Sequence, residues 1–301
     1  MRRGLSLLLF LSLFTSVVGC GEVREAGAGG DNPPPAKSSE SGTLAKVKEK
    51  GVVTIGFANE KPYAYKTSDG QLTGEAVEIA RAILKNMGIE DMQGELTEFG
   101  SLIGGLQAKR FDMITAGMFI NPDRCKAVLF ADPEYSIGEA IAVKKGNPNG
   151  LHSYKDIASK KDVKVAVMTG AVEIGYLEKS GVSKDQMLLV PDQASALNAL
   201  QAGRAHTVTM TGPALQAMLD SAKDDGLERV SDFNQPEIDG KSVRGYGATA
   251  FRPEDKEFQQ AFNAELKKLK ESGELLKILQ KFGFTEQELP GDVTSEALCK
   301  G

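Results

Sequence analysis

Arg124 offers this sequence's clearest chemistry for holding an anion. It lies in "GMFINPDRCKAVLF", where Asn121 reads as a helix N-cap and Pro122 as the first helical residue. A cation in a first turn opposes the helix dipole, and a bound anion offsets that cost. Guanidinium presents a planar fork that grips a carboxylate through two bonds. The competing reading is a surface ion pair with Asp123 or Asp132. Tyr63, Phe99 and Phe119 fall at or just past predicted strand ends, in a chain without Trp. Singly, each is core filling; grouped, they form a box for a delocalised cation, at about 0.5–2 kcal/mol per ring. Glu60, just before Lys61 and Pro62, can pair with the same cation. The run "TGAVE" (169–173) opens a predicted helix, and its amides can share a carboxylate with Arg124. Thr169, Val172 and Glu173 are therefore candidate contacts, as are Gly117 and Thr211 at the ends of two predicted strands. Taken alone, Glu173 is an acid favoured by the helix dipole. His152 and His206 have no companion ligand or triad partner, and there is no CxxC, so neither a protein-built metal site nor a cofactor is expected.

Part of this set lies on a repeat. "SLIGGLQAKRFDMITAG" (101–117) is echoed by "SALNALQAGRAHTVTMT" (195–211) at a constant offset (195 − 101 = 94). In each copy a Ser reads as an N-cap and apolar residues follow at helical spacing. After Arg110 or Arg204 a short β-rich run begins, so each copy is a helix feeding a strand. Around them "VVTIGF", "GELTEF", "VKVAVMTG" and "MLLVPD" read as strands, and "YAYKTSDGQLTG" as a hairpin turning at Asp69-Gly70. "TGEAVEIARAILKNMG", capped by Thr73, and "AVEIGYLEKSG" read as helices. The alternation predicts an α/β fold of two lobes, each a mixed, mostly parallel sheet flanked by helices. "EAIAVKKGN" (139–147) and "RGYGATAFRPED" (244–255) read as the two crossings between lobes. Lobe 1 is expected over 43–138 and 248–301, and lobe 2 over 139–247, hinge strands included. A ligand would sit in the cleft between them.

The N-terminus reads differently. "MRRG" followed by "LSLLLFLSLFTSVV" is a basic segment and an apolar run too short for a comfortable membrane span. It closes on "VVGC", a lipoprotein signal: residues 1–19 are the expected signal peptide and Cys20 the lipidated residue. Residues 20–42, rich in Gly, Pro, Ser and charge, read as a flexible tether. The expectation is an exported monomer held to the membrane by lipid alone. In an oxidising compartment the remaining Cys125 and Cys299 point to a disulfide, two unrelated buried thiols being the alternative. A net charge of −5 with basic residues spread out leaves no footprint for nucleic acid.

Through "SLIGGLQAKRFDMITAGM" and "NPDR", and along the whole chain after the tether, the sequence resembles the family-3 solute-binding proteins of bacterial ABC importers, a class that binds polar amino acids. The resemblance implies a two-lobe, type II periplasmic-binding-protein-like fold, no catalysis, and delivery of a small molecule to permease subunits. It also implies that Arg124 takes the ligand's α-carboxylate. "FANEKPYAY", "TEFGSLI", "AGMFINPDRC", "EAIAVKKGNPNGLHSY", "RGYGA" and "FGFTEQELPGDVT" resemble, more narrowly, the ectoine and hydroxyectoine binders of that family. There a Glu, three rings and an Arg line the pocket, which carries over onto Glu60, Tyr63, Phe99, Phe119 and Arg124. Amino-acid binders of the family read "GR.D....D" in the second lobe, the last Asp pairing with the ligand ammonium. Here the run is "GRAHTVTMT", with His206 and Thr211 in place of the two acids. Without that carboxylate a compact ammonium loses about 1.5–3 kcal/mol. A cyclic amidinium, its charge spread over a ring, needs faces more than a point anion. The rival expectations are a polar amino-acid binder and, more remotely, an exported enzyme like cyclohexadienyl or arogenate dehydratase, with Glu173 as proton donor.

Overall fold

The computed structural model describes residues 42–238 and 240–301. The expected signal peptide, the lipidation residue Cys20 and all of the tether but its last residue lie outside the described residues. The β-branched and aromatic residues of "VVTIGF" form β1 (Val52–Phe57), in which Val53, Ile55 and Phe57 are fully buried. β2 (Asp91–Leu96), β3 (Met113–Ile114) and β4 (Leu129–Phe130) join it. A second sheet follows, from β5 (Glu139–Lys144), β6 (Val165–Met168), β7 (Met187–Val190), β8 (Thr207–Thr211) and β9 (Leu227–Arg229). The chain then returns to the first sheet for β10 (Ala250–Phe251).

The strand orders are β2-β1-β3-β10-β4 and β7-β6-β8-β5-β9. In the first sheet β1 runs parallel to β2 and β3, while β10 opposes β3 and β4. In the second, β6 runs parallel to β7 and β8, while β5 opposes β8 and β9. The two sheets therefore share one plan, a mixed, mostly parallel α/β layer of the type II two-lobe kind. The strands that end the two copies of the repeat, β3 and β8, take the same central place in each.

The helices that flank the sheets are α1 (Glu75–Asn86), α2 (Leu102–Gln107), α3 (Pro122–Cys125), α4 (Glu173–Lys179), α5 (Gln193–Gln201), α6 (Gly212–Ala222), α7 (Lys256–Glu271) and α8 (Ser295–Lys300). α7 buries Phe258, Phe262, Leu266 and Leu269 at helical spacing, and Phe251 of β10 packs on its two rings at 5.0 and 5.4 Å. Both repeats are a helix feeding a strand, but their starts differ from the expected Ser caps. Asp192 caps α5, its carboxylate accepting from the Ser195 amide at 2.7 Å. Ser101 ends a short turn of tighter helix (Phe99–Ser101) and caps nothing through its side chain. Likewise α1 starts after Gly74, and the Thr73 hydroxyl donates to Glu78 instead. At α5 an earlier acceptor, Asp192, displaces Ser195, since side-chain caps compete locally.

The antiparallel pair Tyr135–Ile137 and Gly245–Gly247 connects the sheets. It precedes the first expected crossing, because Glu139–Lys144 is already β5. Gly245 is required there: a Cβ would lie 1.8 Å from the Phe119 ring. Cys125 and Cys299, 174 residues apart, are disulfide-bonded with Cα atoms at 5.7 Å, which ties α3 to α8. Among the described residues no helix is long and apolar enough to cross a membrane.

Candidate ligand-binding site

The segments that follow the C-terminal ends of β1, β3, β6 and β8 surround one cavity of about 30 Å³. Such strand ends are where open α/β sheets collect ligands. Glu60 and Tyr63 come after β1; Gly117, Phe119 and Arg124 after β3; Val172 and Glu173 after β6; and Thr211 ends β8. Phe99 completes the group of sequence-selected residues. Met168, the last residue of β6, and Ala171, within the run 169–173, also line it; neither carries chemistry that would have marked it. Thr169 is the exception. Its side chain is exposed and its hydroxyl donates to the Val190 carbonyl at 3.3 Å, so it is outside the cavity wall. His152 pairs with Asp232, and His206 accepts from the Lys164 amide; neither lines the cavity.

Asn121 fixes Arg124 locally, its side-chain oxygen accepting from the Arg124 amide at 2.8 Å and closing a single helical turn. The guanidinium donates to the Phe119 carbonyl at 2.7 Å and to the Gly170 carbonyl at 2.9 Å. It lies over the Phe99 ring at 5.4 Å. The competing surface pairs do not form: Asp123 pairs with Lys126, and Asp132 accepts from Ser295. Two of five guanidinium donors are thus used, and among the described residues no acid forms an ion pair with it. Burial lowers its pKa to about 10, against the pull of Glu173, so it remains a cation at neutral pH.

The rings do not form one symmetrical box. Phe99 faces the Arg124 guanidinium, whereas Tyr63 and Phe119 both pack on Tyr135, at 5.3 and 6.2 Å. Tyr135, which the sequence did not mark, stacks nearly parallel to Tyr63, and its hydroxyl donates to the Gly117 carbonyl at 2.8 Å. Gly117 has φ +64°, and a Cβ there would meet the Tyr63 ring at 2.6 Å, so only Gly lets the ring lie this close. Glu60 is held by a two-way backbone pairing with Ala64. Burial, then the nearby Glu173, pushes its carboxyl up to about 8. Glu173 is also raised by burial, with Arg124 pulling the other way.

Contacts across the cavity join the two sheets' loops. The Tyr63 and Thr211 hydroxyls meet at 2.6 Å, and Arg124 reaches Gly170. Gln193 Nε2 donates to the Lys61 carbonyl at 3.0 Å, outside the cavity mouth. Gly100 abuts Thr169 so closely that a Cβ would come within 2.9 Å of its carbonyl oxygen. The cavity in this arrangement is too small for an amino-acid-sized solute, so capture requires the walls to part.

A profile of the bacterial extracellular solute-binding proteins, family 3, matches residues 53–286. The chain belongs to that family. A probable amino-acid ABC transporter periplasmic-binding protein, y4tE of Sinorhizobium fredii (strain NBRC 101917 / NGR234), is 36% identical over 85% of this chain and 86% of its own length. The crystal structure of EhuB in complex with hydroxyectoine aligns with a TM-score of 0.78 at 38% identity, covering 85% of this chain and 97% of that one. An ancestral arginine-binding protein bound to arginine aligns with a TM-score of 0.67 at 29% identity, over 78% and 99% of the two chains. This family-3 protein is thus an extracytoplasmic, amino-acid-type solute-binding component of an ABC importer, and its relatives are binding proteins, not enzymes.

Proposed function

We propose that the protein captures ectoine or hydroxyectoine and delivers it to its permease. The observation that carries this reading is a cavity lined by groups of opposite character. Among the described residues three Arg124 donors stay free for a carboxylate, and Glu60, Glu173 and the faces of Tyr63 and Phe119 suit a delocalised cation. Phe99 then serves chiefly to orient Arg124. Thr211, where an amino-acid binder would hold an acid, bonds to Tyr63 and so has no charge to offer an ammonium. The likeness to EhuB with hydroxyectoine supports the same solute.

A polar amino acid with a cationic side chain is the second reading, favoured by the acids at the cavity and by the arginine-bound relative. Isothermal titration with ectoine, hydroxyectoine and the twenty amino acids separates the two. Micromolar binding, about −8 kcal/mol, is expected for the cyclic solutes only. Tight arginine or glutamine binding without ectoine heat overturns the assignment. The proposal includes export as a monomer with the lipid on Cys20; a Cys20→Ser chain released to the soluble fraction is the expected outcome.

A further inference from the structure

Strand pairing brings an acid beside the position where the sequence lost one. In the antiparallel register of β5 and β8, Thr211 lies directly opposite Glu139. Glu139 is only 2% exposed, and among the described residues no N–H or O–H group reaches either of its carboxyl oxygens. Thr211 and Glu173 line the same cavity, so the buried carboxyls of Glu139 and Glu173 are near enough to raise each other's cost of ionisation. Gln235 fixes the Glu139 backbone in both directions at 2.8 Å. On its other side Glu139 forms part of the wall of a 580 Å³ groove along the hinge.

Two buried carboxyls so near each other cannot both be ionised, and one proton between them also satisfies oxygens that otherwise have no donor. We propose that Glu139 and Glu173 share one proton in the free protein, and that a cationic ligand group arriving beside Glu173 displaces it. The inference rests on the reading that the solute carries a cation. The carboxyl O–H bond breaks, the proton passes to water in the hinge groove, and the carboxylate left behind faces the ligand. Glu139 does not line the cavity, so it is a positioning residue that acts through Glu173.

The groups around the pair are compatible with this. Glu60 repels a second negative charge, and the buried Tyr154 and half-buried Tyr176 phenols stay neutral. Arg124 faces Glu173 from the cavity side. In the hinge groove Arg229 and Arg244 are accompanied by Asp220 and Glu288, and neither arginine forms an ion pair with Glu139 among the described residues. At the cavity Glu60 is the competing source of a proton, and the test must separate it.

Ectoine is titrated calorimetrically between about pH 5 and 8, in buffers of different ionisation enthalpy. The wild-type protein is expected to release up to about one proton per ligand, with affinity rising by up to about tenfold per pH unit. Glu139→Gln keeps a donor against Glu173 in permanently neutral form, so binding at the alkaline end should stay within about threefold while proton release and slope disappear. A flat wild-type profile overturns the inference, as does a slope that survives in Glu139→Gln and vanishes in Glu60→Gln. If ectoine gives no heat, the proposed solute fails and the pair is tested without it. The infrared carbonyl band of protonated buried carboxyl groups at neutral pH should then weaken in Glu139→Gln and in Glu173→Gln. An unchanged band in either folded variant overturns the shared proton.

Discussion

Arg124 does three things at once. Its guanidinium reaches a carbonyl on each side of the cleft, rests on Phe99, and keeps donors for a ligand anion. Lysine has one compact head and cannot bridge both carbonyls and a carboxylate together. Arg124→Lys is therefore expected to lose nearly as much affinity as Arg124→Ala, about 2 kcal/mol or more, roughly 30-fold in Kd by calorimetry. Normal binding by either variant removes the carboxylate clamp whatever the solute. Phe119→Ala should cost about 1–2 kcal/mol, since its ring also packs on Tyr135 and against the backbone at Gly245. These residues could be picked from sequence because Asn121-Pro122 places Arg124 in a first turn and because rings are scarce. Tyr135 and Glu139 could not. Their roles come from neighbours supplied by strand pairing, which no local pattern around either residue encodes.

Elements show the same division. The helix-then-strand period of the repeat was legible because it is local, and β3 and β8 take equivalent central places as that repeat demands. Exact starts were less legible, since Asp192 and Gly74 took positions assigned to Ser195 and Thr73. The one-turn helix α3 illustrates how an element too short to stand alone becomes a fixed mount. Four residues cannot hold a helix by propensity; Asn121 caps it and the Cys125–Cys299 bond anchors it to α8. A loop of 174 residues stabilises by about 5 kcal/mol in the chain-entropy picture. Cys299→Ser should lower Tm and also weaken ligand binding, because the residue before Cys125 is the proposed anion holder. Lower Tm with unaltered affinity would mean that the cap alone positions Arg124.

At the scale of the whole molecule, this two-sheet protein buries acids on its way to the folded state, and its stability should record this. Glu60 has a folded pKa of about 8 against an ordinary value of 4.5, and burial is the main cause. Glu134, buried in the first-sheet side, is likewise raised to about 7. Between the ordinary and the raised values the folded chain holds protons that the unfolded chain has lost. Stability must then fall as pH rises through that window and level off above its upper edge. The expected result is a ligand-free Tm that is highest near about pH 5 and declines toward pH 8, with Glu60→Gln removing part of the decline. A Tm that climbs over that range, or an undiminished decline in Glu60→Gln, would mean that Glu60 is already ionised and compensated in the free protein. Glu60 would then stand as a preformed carboxylate at the cavity, and the ligand's cation would meet that charge directly.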